Sequence, residues 1–422
     1  MKSPFSVYTV VIALHAGPAL AGTMYAKTSA SGGGDCSSWV DACTLATALT
    51  NASGGDEIWV QSGTYGPIEL KNAVKVIGGF AGSETSVSLC DPVTNVTIID
   101  GGGSGRCVSS EDHAASTVLR GFTIKNGDDD SFDGGGGLAM VSSSAQVVQC
   151  VFENNTAQWW GAAVSIRGSG SPQFVNCTFR NNGNPSGDVT IAGAAVYLDG
   201  GSPTFTNCLF HDNKSGEGSA VAIMSGTPTF LNCTMVGNEA TIGYGGAVHD
   251  EPGQAVIRNS ILWGNTAAES GDQIWNLPSG PATTVTYSDV EGGFSGTGNV
   301  SGDPQFEDAG VGDYRIKATS PCKNTGRNSD LPLDVADVDF DGNTSETLPK
   351  DLLRNPRKLY TTVDMGAFEY MECDEDGDCT VFPKLLCRMT DRVCVHCLND
   401  GHCPSGYFCQ PDGTCSQAGG WE

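Results

Sequence analysis

The sequence predicts an all-β solenoid, a parallel β-helix, and three observations carry that expectation. The first is a pattern that returns five times: "QCVFENN" from Gln149, "NCTFRNN" from Asn176, "NCLFHDN" from Asn207, "NCTMVGN" from Asn232 and "NSILWGN" from Asn259, each opening 25 to 31 residues after the last. The second is a small-residue motif in every interval: "GGLAM" from Gly136, "GAAVSI" from Gly161, "GAAVYL" from Gly193, "GSAVAI" from Gly218 and "GGAVHD" from Gly245. The third is composition. Fifty-seven glycines in 422 residues, with short Val, Ile, Thr and Phe runs between Gly, Asn, Asp and Ser clusters, favour many short strands and tight corners over helices.

A unit this short, with no crossover helix, cannot bury its own apolar face. Stacking units at roughly 4.8 Å lets each coil hydrogen-bond to the next and places equivalent residues in columns. Parity in "VNCTFRN" puts Val175, Cys177 and Phe179 on one inward face, with Thr206, Cys208 and Phe210 above them. Phe174 has the wrong parity, and a bend near Asn176 would turn it inward as well. The closing asparagines Asn155, Asn182, Asn213, Asn238 and Asn265 are expected at a left-handed corner with their amides stacked in a ladder. The column Cys150, Cys177, Cys208, Cys233 and Ser260 reads as buried thiols acting as small hydrophobes, in preference to bridges between coils, because β-carbons on neighbouring parallel strands sit too far apart for a disulfide.

The chain opens with Lys2, the apolar run Val7 to Leu14 and the small-residue site Ala19-Leu20-Ala21, read as a signal peptide over residues 1–21. Export, to the outside or to a bacterial cell surface or outer membrane, is therefore expected, with no transmembrane segment after cleavage. The β-helix is assigned to 22–300, a closing segment to 301–370 and a Cys-rich tail to 371–422. A formal charge of −26 makes nucleic acid a poor partner, since phosphate binding needs clustered Lys and Arg. A monomer is expected.

Seventeen cysteines in an exported chain suggest an oxidising compartment. Disulfides are expected among Cys36, Cys43, Cys90 and Cys107, and in a coreless tail module among Cys373, Cys379, Cys387, Cys394, Cys397, Cys403, Cys409 and Cys415. Zinc is the competing reading for the tail, where Cys394, His396, Cys397, His402 and Cys403 lie close together. The compartment and the lack of paired CxxC units weigh against it.

The paired motifs GGA[ILV] and FxxN resemble the polymorphic outer-membrane protein repeats, which implies a right-handed parallel β-helix. FxxN matches at Phe152 to Asn155, Phe179 to Asn182 and Phe210 to Asn213. The stretch "CSSWVDACTLATALTNASGGDEIWVQSGTYGPIEL" resembles the opening of secreted pectate-lyase-like β-helix proteins, implying a capping helix near Thr44 to Ala52. "DPQF", "GDYRIKATSPCKNTG" and "VDMGAFEY" resemble the segment that closes such proteins, and the paired tail units resemble short Cys-rich repeats of bacterial surface proteins, which implies contact or tethering.

A β-helix hosts many unrelated chemistries, so function depends on the site it carries. "NGDDD" (Asn126 to Asp130) and "RIK" (Arg315 to Lys317) resemble polygalacturonase motifs, but the Gly-His-Gly element between them is replaced by Val248-His249-Asp250. A lyase would set Arg167 or Arg180 beside a cation held by Asp128, Asp129, Asp130 and Asp133, against which stands the reading of a solvated loop. In "DVDFDGN", Asp337, Asp339, Asp341 and Asn343 follow the start of a calcium loop, so a structural calcium ion is expected there, although Leu348 stands where a bidentate Glu belongs. Trp160 and Tyr244 precede equivalent glycines three coils apart and are the candidate sugar-stacking residues; packing over a loop is the alternative. The function expected is non-enzymatic adhesion or glycan binding at a cell surface, with a polysaccharide lyase or glycoside hydrolase as the runner-up.

Overall fold

The computed structural model describes residues 21–183, 192–358 and 361–371, together with the backbone of four short tail strands. The expected signal peptide falls outside these residues except for Ala21. So do the side chains of the eight tail cysteines. The tail strands pair antiparallel, setting Cys387 opposite Cys394 and Cys409 opposite Cys415.

Three parallel sheets of eleven, nine and eight strands form the solenoid. One coil shows how the sequence turns. Gln173–Val175 lies in the first sheet, Asn176 bends the chain at φ 55°, and Thr178–Arg180 enters the second sheet. Asn181 bends it again at φ 53°, and Val196–Asp199 forms the third sheet after the corner at Gly193. Gly193 is required there: its φ is 72°, and a β-carbon would meet the Val196 carbonyl oxygen at 2.3 Å.

Strand register makes the columns. Phe152 pairs with Phe179 and Phe179 with Phe210, their rings stacked at 5.0 and 4.6 Å. Phe174, Phe205 and Phe230 form a second stack at 4.8 and 5.0 Å. All six are fully buried, each contributing about 1.5–3 kcal/mol of apolar transfer. The bend at Asn176 does bring Phe174 inside. It also resets the alternation, so Val175 and Thr206 face outward rather than into the core, and Val175 packs against Val338 and Leu348 of the closing segment.

The asparagine ladder forms: Asn155, Asn182, Asn213 and Asn238 each donate Nδ2 to the next amide oxygen, at 2.8 to 3.0 Å. The left-handed residues are the ones before them, Asn154, Asn181, Asp212, Gly237 and Gly264, not the ladder residues themselves. Turning at the preceding residue points the ladder amides inward, where they also reach strand carbonyls of the coil before, as Asn182 reaches Phe152.

Cys150, Cys177, Cys208 and Cys233 are free and buried. Each thiol reaches a backbone carbonyl of the preceding coil, as Cys177 reaches Val147 at 3.4 Å. Cys36 and Cys43 form a disulfide with α-carbons 4.7 Å apart. Cys90 and Cys107 do not: Cys90 lies in a cluster with Trp39, Trp59 and Phe80, while Cys107 faces the ladder beside Asn155 in the main core, so the two thiols belong to different apolar clusters.

Helix α1 (Leu45–Asn51) covers the first coil. The Thr44 hydroxyl accepts from the Thr47 amide, and Leu45 and Ala48 are buried against the core. At the other end, a hairpin of Phe306–Asp308 and Asp313–Ile316 starts the closing segment, which then runs back along the bend column. Asn176 and Asn207 donate their side-chain amides to the carbonyls of Asp351 and Lys350, and the Asn259 carbonyl accepts from Gly366. Arg120 reaches the carbonyls of Asp337 and Val338. The asparagine of each "NC" motif therefore serves twice, as a left-handed bend and, at several coils, as a dock for the closing segment.

Candidate ligand-binding flank and cation site

The third sheet carries an outward column set by its register: Ser165, Tyr197, Ala222, His249 and Trp275. A second column runs beside it at the preceding corner, where Trp160 bridges to Ala192 and Ala192 to Glu217, and the Gly218 amide donates to the Tyr244 carbonyl of the next coil. Large rings lean from one coil onto the next. Trp160 lies 4.9 Å from Tyr197, and Tyr244 stacks on Trp275 at 4.7 Å. Phe132, 69% exposed, extends the first group toward Trp159 and Trp160. Both sequence candidates, Trp160 and Tyr244, thus sit on one flank, each in its own ring pair; their partners Tyr197 and Trp275 escape the sequence reading.

The same flank holds buried polar atoms without partners. The indole N–H of Trp160 and Nε of Arg167 make no hydrogen bond, and neither ring nitrogen of His249 does. His249 has only 2% of its side chain exposed, with Nδ1 3.5 Å from Glu217 and Nε2 3.7 Å from Glu251. Its ring centroid is 4.7 Å from that of Trp275. Burial lowers the imidazole pKa below its ordinary value, against the opposing pull of Glu217, Glu251 and Asp250.

In the closing segment, carboxylate oxygens of Asp337, Asp339 and Asp341 come within 4.8 Å of one another, and Asp334, Asp339 and Glu346 form a second such group. Gly342 makes the turn at φ 82°. Asn343 is engaged elsewhere, its side-chain oxygen accepting from the amide and hydroxyl of Ser345. Leu348 is buried against Val148 and Val175, and Glu346 sits with Asp334 and Asp339 rather than with the Asp337–Asp339–Asp341 group. Asp339 Oδ1 and Glu346 Oε1 are buried with no hydrogen-bond partner, so an all-oxygen donor set fits a hard cation such as calcium.

The other acidic run is dispersed. Asp129 pairs with Arg106, Asp128 accepts from Thr156, and Asp133 lies 3.7 Å from Arg167. Arg167 and Arg180 stand on different sheets, the third and the second. A groove of about 500 Å³ opens between the second sheet and the hairpin, with Arg180, Arg315, Arg354 and Tyr314 in its lining. Two of its arginines are committed, Arg180 to Glu153 and Arg315 to Asp313, both at 2.5 Å.

Residues 81–266 match the family described as a right-handed β-helix region. The fold is a right-handed parallel β-helix. Among solved structures this β-helix is similar to the crystal structure of pectate lyase Pel9A, with a TM-score of 0.43 and 13% sequence identity over 84% of this chain and 97% of that one. A comparison with curated proteins finds no match. Among the described residues, no helix of the β-helix is long and apolar enough to cross a membrane.

Proposed function

We propose that this β-helix is an exported monomer that holds glycan along its aromatic flank, outside the cell or at its surface, without turning it over. The observation that carries this reading is the two ring pairs, Trp160 tilted against Tyr197 and Tyr244 stacked on Trp275, placed on coils of one rigid flank. Ring faces at fixed pitch suit an extended saccharide, because each sugar presents an apolar C–H face to stack on. The acidic cluster of the closing segment supports a structural role for calcium, tying Asp334 to Asp341 and Glu346 into one turn beside the first sheet. Localisation rests on the apolar leader and the Cys36–Cys43 disulfide, which suits an oxidising compartment.

A polysaccharide lyase or hydrolase is the second reading, favoured by the groove that Arg180, Arg315 and Arg354 line. Against it, a lyase base must be free to take a proton, and Arg180 and Arg315 are held in short ion pairs. Titrating the full chain against neutral, uronate and amino-sugar oligosaccharides, with and without calcium, tests both readings when binding and product release are scored together. Binding without products is expected. Unsaturated sugars or new reducing ends overturn the non-enzymatic reading.

A further inference from the structure

We propose that the Tyr244–Trp275 end of the flank is a subsite for an amino sugar, a hexosamine whose free protonated amine is held between Glu217 and Glu251. The inference rests on the reading of this flank as the glycan-binding face and specifies its ligand chemistry. Four features of the subsite favour a cation on a sugar ring. Glu217 and Glu251 are 40% and 43% exposed, so their carboxylates are reachable from solvent, and neither has a lysine or arginine partner among the described residues. The stacked rings of Tyr244 and Trp275 offer negative π faces, which attract ammonium groups as well as sugar C–H faces.

His249 is the third feature and the independent one. Its ring is almost fully buried, and each nitrogen stops short of hydrogen-bonding distance from a carboxylate. A buried imidazole with both nitrogens unpaired is costly to leave so. A neutral imidazole has one lone pair and one N–H: the lone pair accepts from an ammonium or hydroxyl, and the N–H donates to a sugar oxygen. The fourth feature is the surround. The chain carries −26 formal charge, which repels polyuronates and draws polyamines. The opposite end of the flank differs, since Trp160 Nε1 and Arg167 Nε are unpaired donors, so the two ends would read different parts of one chain of sugars.

Isothermal titration of the full chain with three probes tests this: a glucosamine hexamer, its fully N-acetylated counterpart and a galacturonate hexamer. The glucosamine hexamer is expected to bind at least tenfold more tightly than the acetylated one, and Glu217→Gln with Glu251→Gln to remove that preference, tenfold being the size of one charge-assisted hydrogen bond. Both glutamates are half-exposed at the surface, so the double variant folds, which an unchanged unfolding temperature verifies. Equal affinity for the acetylated and free-amine hexamers overturns the amine subsite while leaving the glycan-binding flank standing. A preference that survives in the double variant also overturns it, assigning the effect to overall charge. No binding of any hexamer defeats both readings together.

Discussion

Asn182 donates its side-chain amide to Asn213 at 3.0 Å and accepts from Asn155 at the same distance, so each ladder residue closes the hydrogen bonds of the coils on both sides. The backbone amides join in: Asn182 N donates to Asn213 Oδ1 at 3.1 Å. All of these groups are buried. Replacing Asn213 by Leu removes the acceptor for Asn182 and the donor to Phe179 and Asn238, leaving several orphans at about 1–3 kcal/mol each. Chemical denaturation of Asn213→Leu should show a loss of about 2–4 kcal/mol. A loss under 0.5 kcal/mol would mean that the ladder is decorative.

The thiol column makes a different demand. Ser260 already occupies it, donating to Arg258 at 2.8 Å and accepting from the Cys233 amide at 3.0 Å. Cys233→Ser should therefore cost less than about 1 kcal/mol, because its hydroxyl inherits the carbonyls of Phe205 and Leu231. Cys233→Leu adds volume to a filled core and should cost about 1–3 kcal/mol. In the native state the column thiols should resist alkylation, since burial pushes the Cys150 and Cys208 pKa values up, and react once the chain is unfolded. Rapid modification of Cys208 in the folded protein would contradict this packing.

Stability should fall as pH rises through a wide window. Burial pushes Glu369 from its ordinary 4.5 to about 9, outweighing the nearby Arg357, and Asp351 from 3.8 to about 6. Both acids bind their protons more tightly folded than unfolded. The stability they contribute is present below their ordinary values and lost as pH climbs toward 6 for Asp351 and 9 for Glu369. Glu369→Gln mimics the protonated form and should flatten the dependence between pH 6 and 9, measured as denaturation midpoints. Arg357→Ala should cost about 3–5 kcal/mol, because the fully buried guanidinium donates to the Asp364 and Gly366 carbonyls.

Calcium should stabilise the closing segment. At 100 times its dissociation constant the ion contributes about 2.7 kcal/mol. Thermal unfolding near neutral pH should rise by several degrees on adding calcium, and Asp339→Asn, which touches both carboxylate groups, should remove the rise. Magnesium, smaller and stricter in geometry, should do less. An unchanged midpoint in calcium would remove the ion from the account.

The coil is legible in the sequence because its period is one residue per column: Phe152, Phe179 and Phe210 can be aligned by eye, and so can the ladder asparagines. Parity across Asn176 is not legible, since the letters do not show which asparagine takes a positive φ, and the position of Val175 follows from that single angle. The docking of the closing segment on Asn176, Asn207 and Asn259 is also hidden, because it pairs distant residues with no shared period. Asp337, Asp339 and Asp341 can be read from their alternation, whereas Asp334 and Glu346 join only through the fold. His249 and Glu251 lie two residues apart on one coil, but Glu217 joins them from the coil before and from a different column. Comparing "GGAVHD" with "GAAVYL" at the outward position would have set His249 beside Tyr197 and drawn attention to the flank.

The most direct test is the affinity of the full chain for oligosaccharides when the rings are removed singly and together. Trp160→Ala and Tyr244→Ala, each at a half-buried surface position, should each weaken binding of the best-bound hexamer about tenfold, and the double variant more, with the β-sheet circular dichroism unchanged. Wild-type affinity in the double variant would place the glycan elsewhere on the molecule and contradict the account.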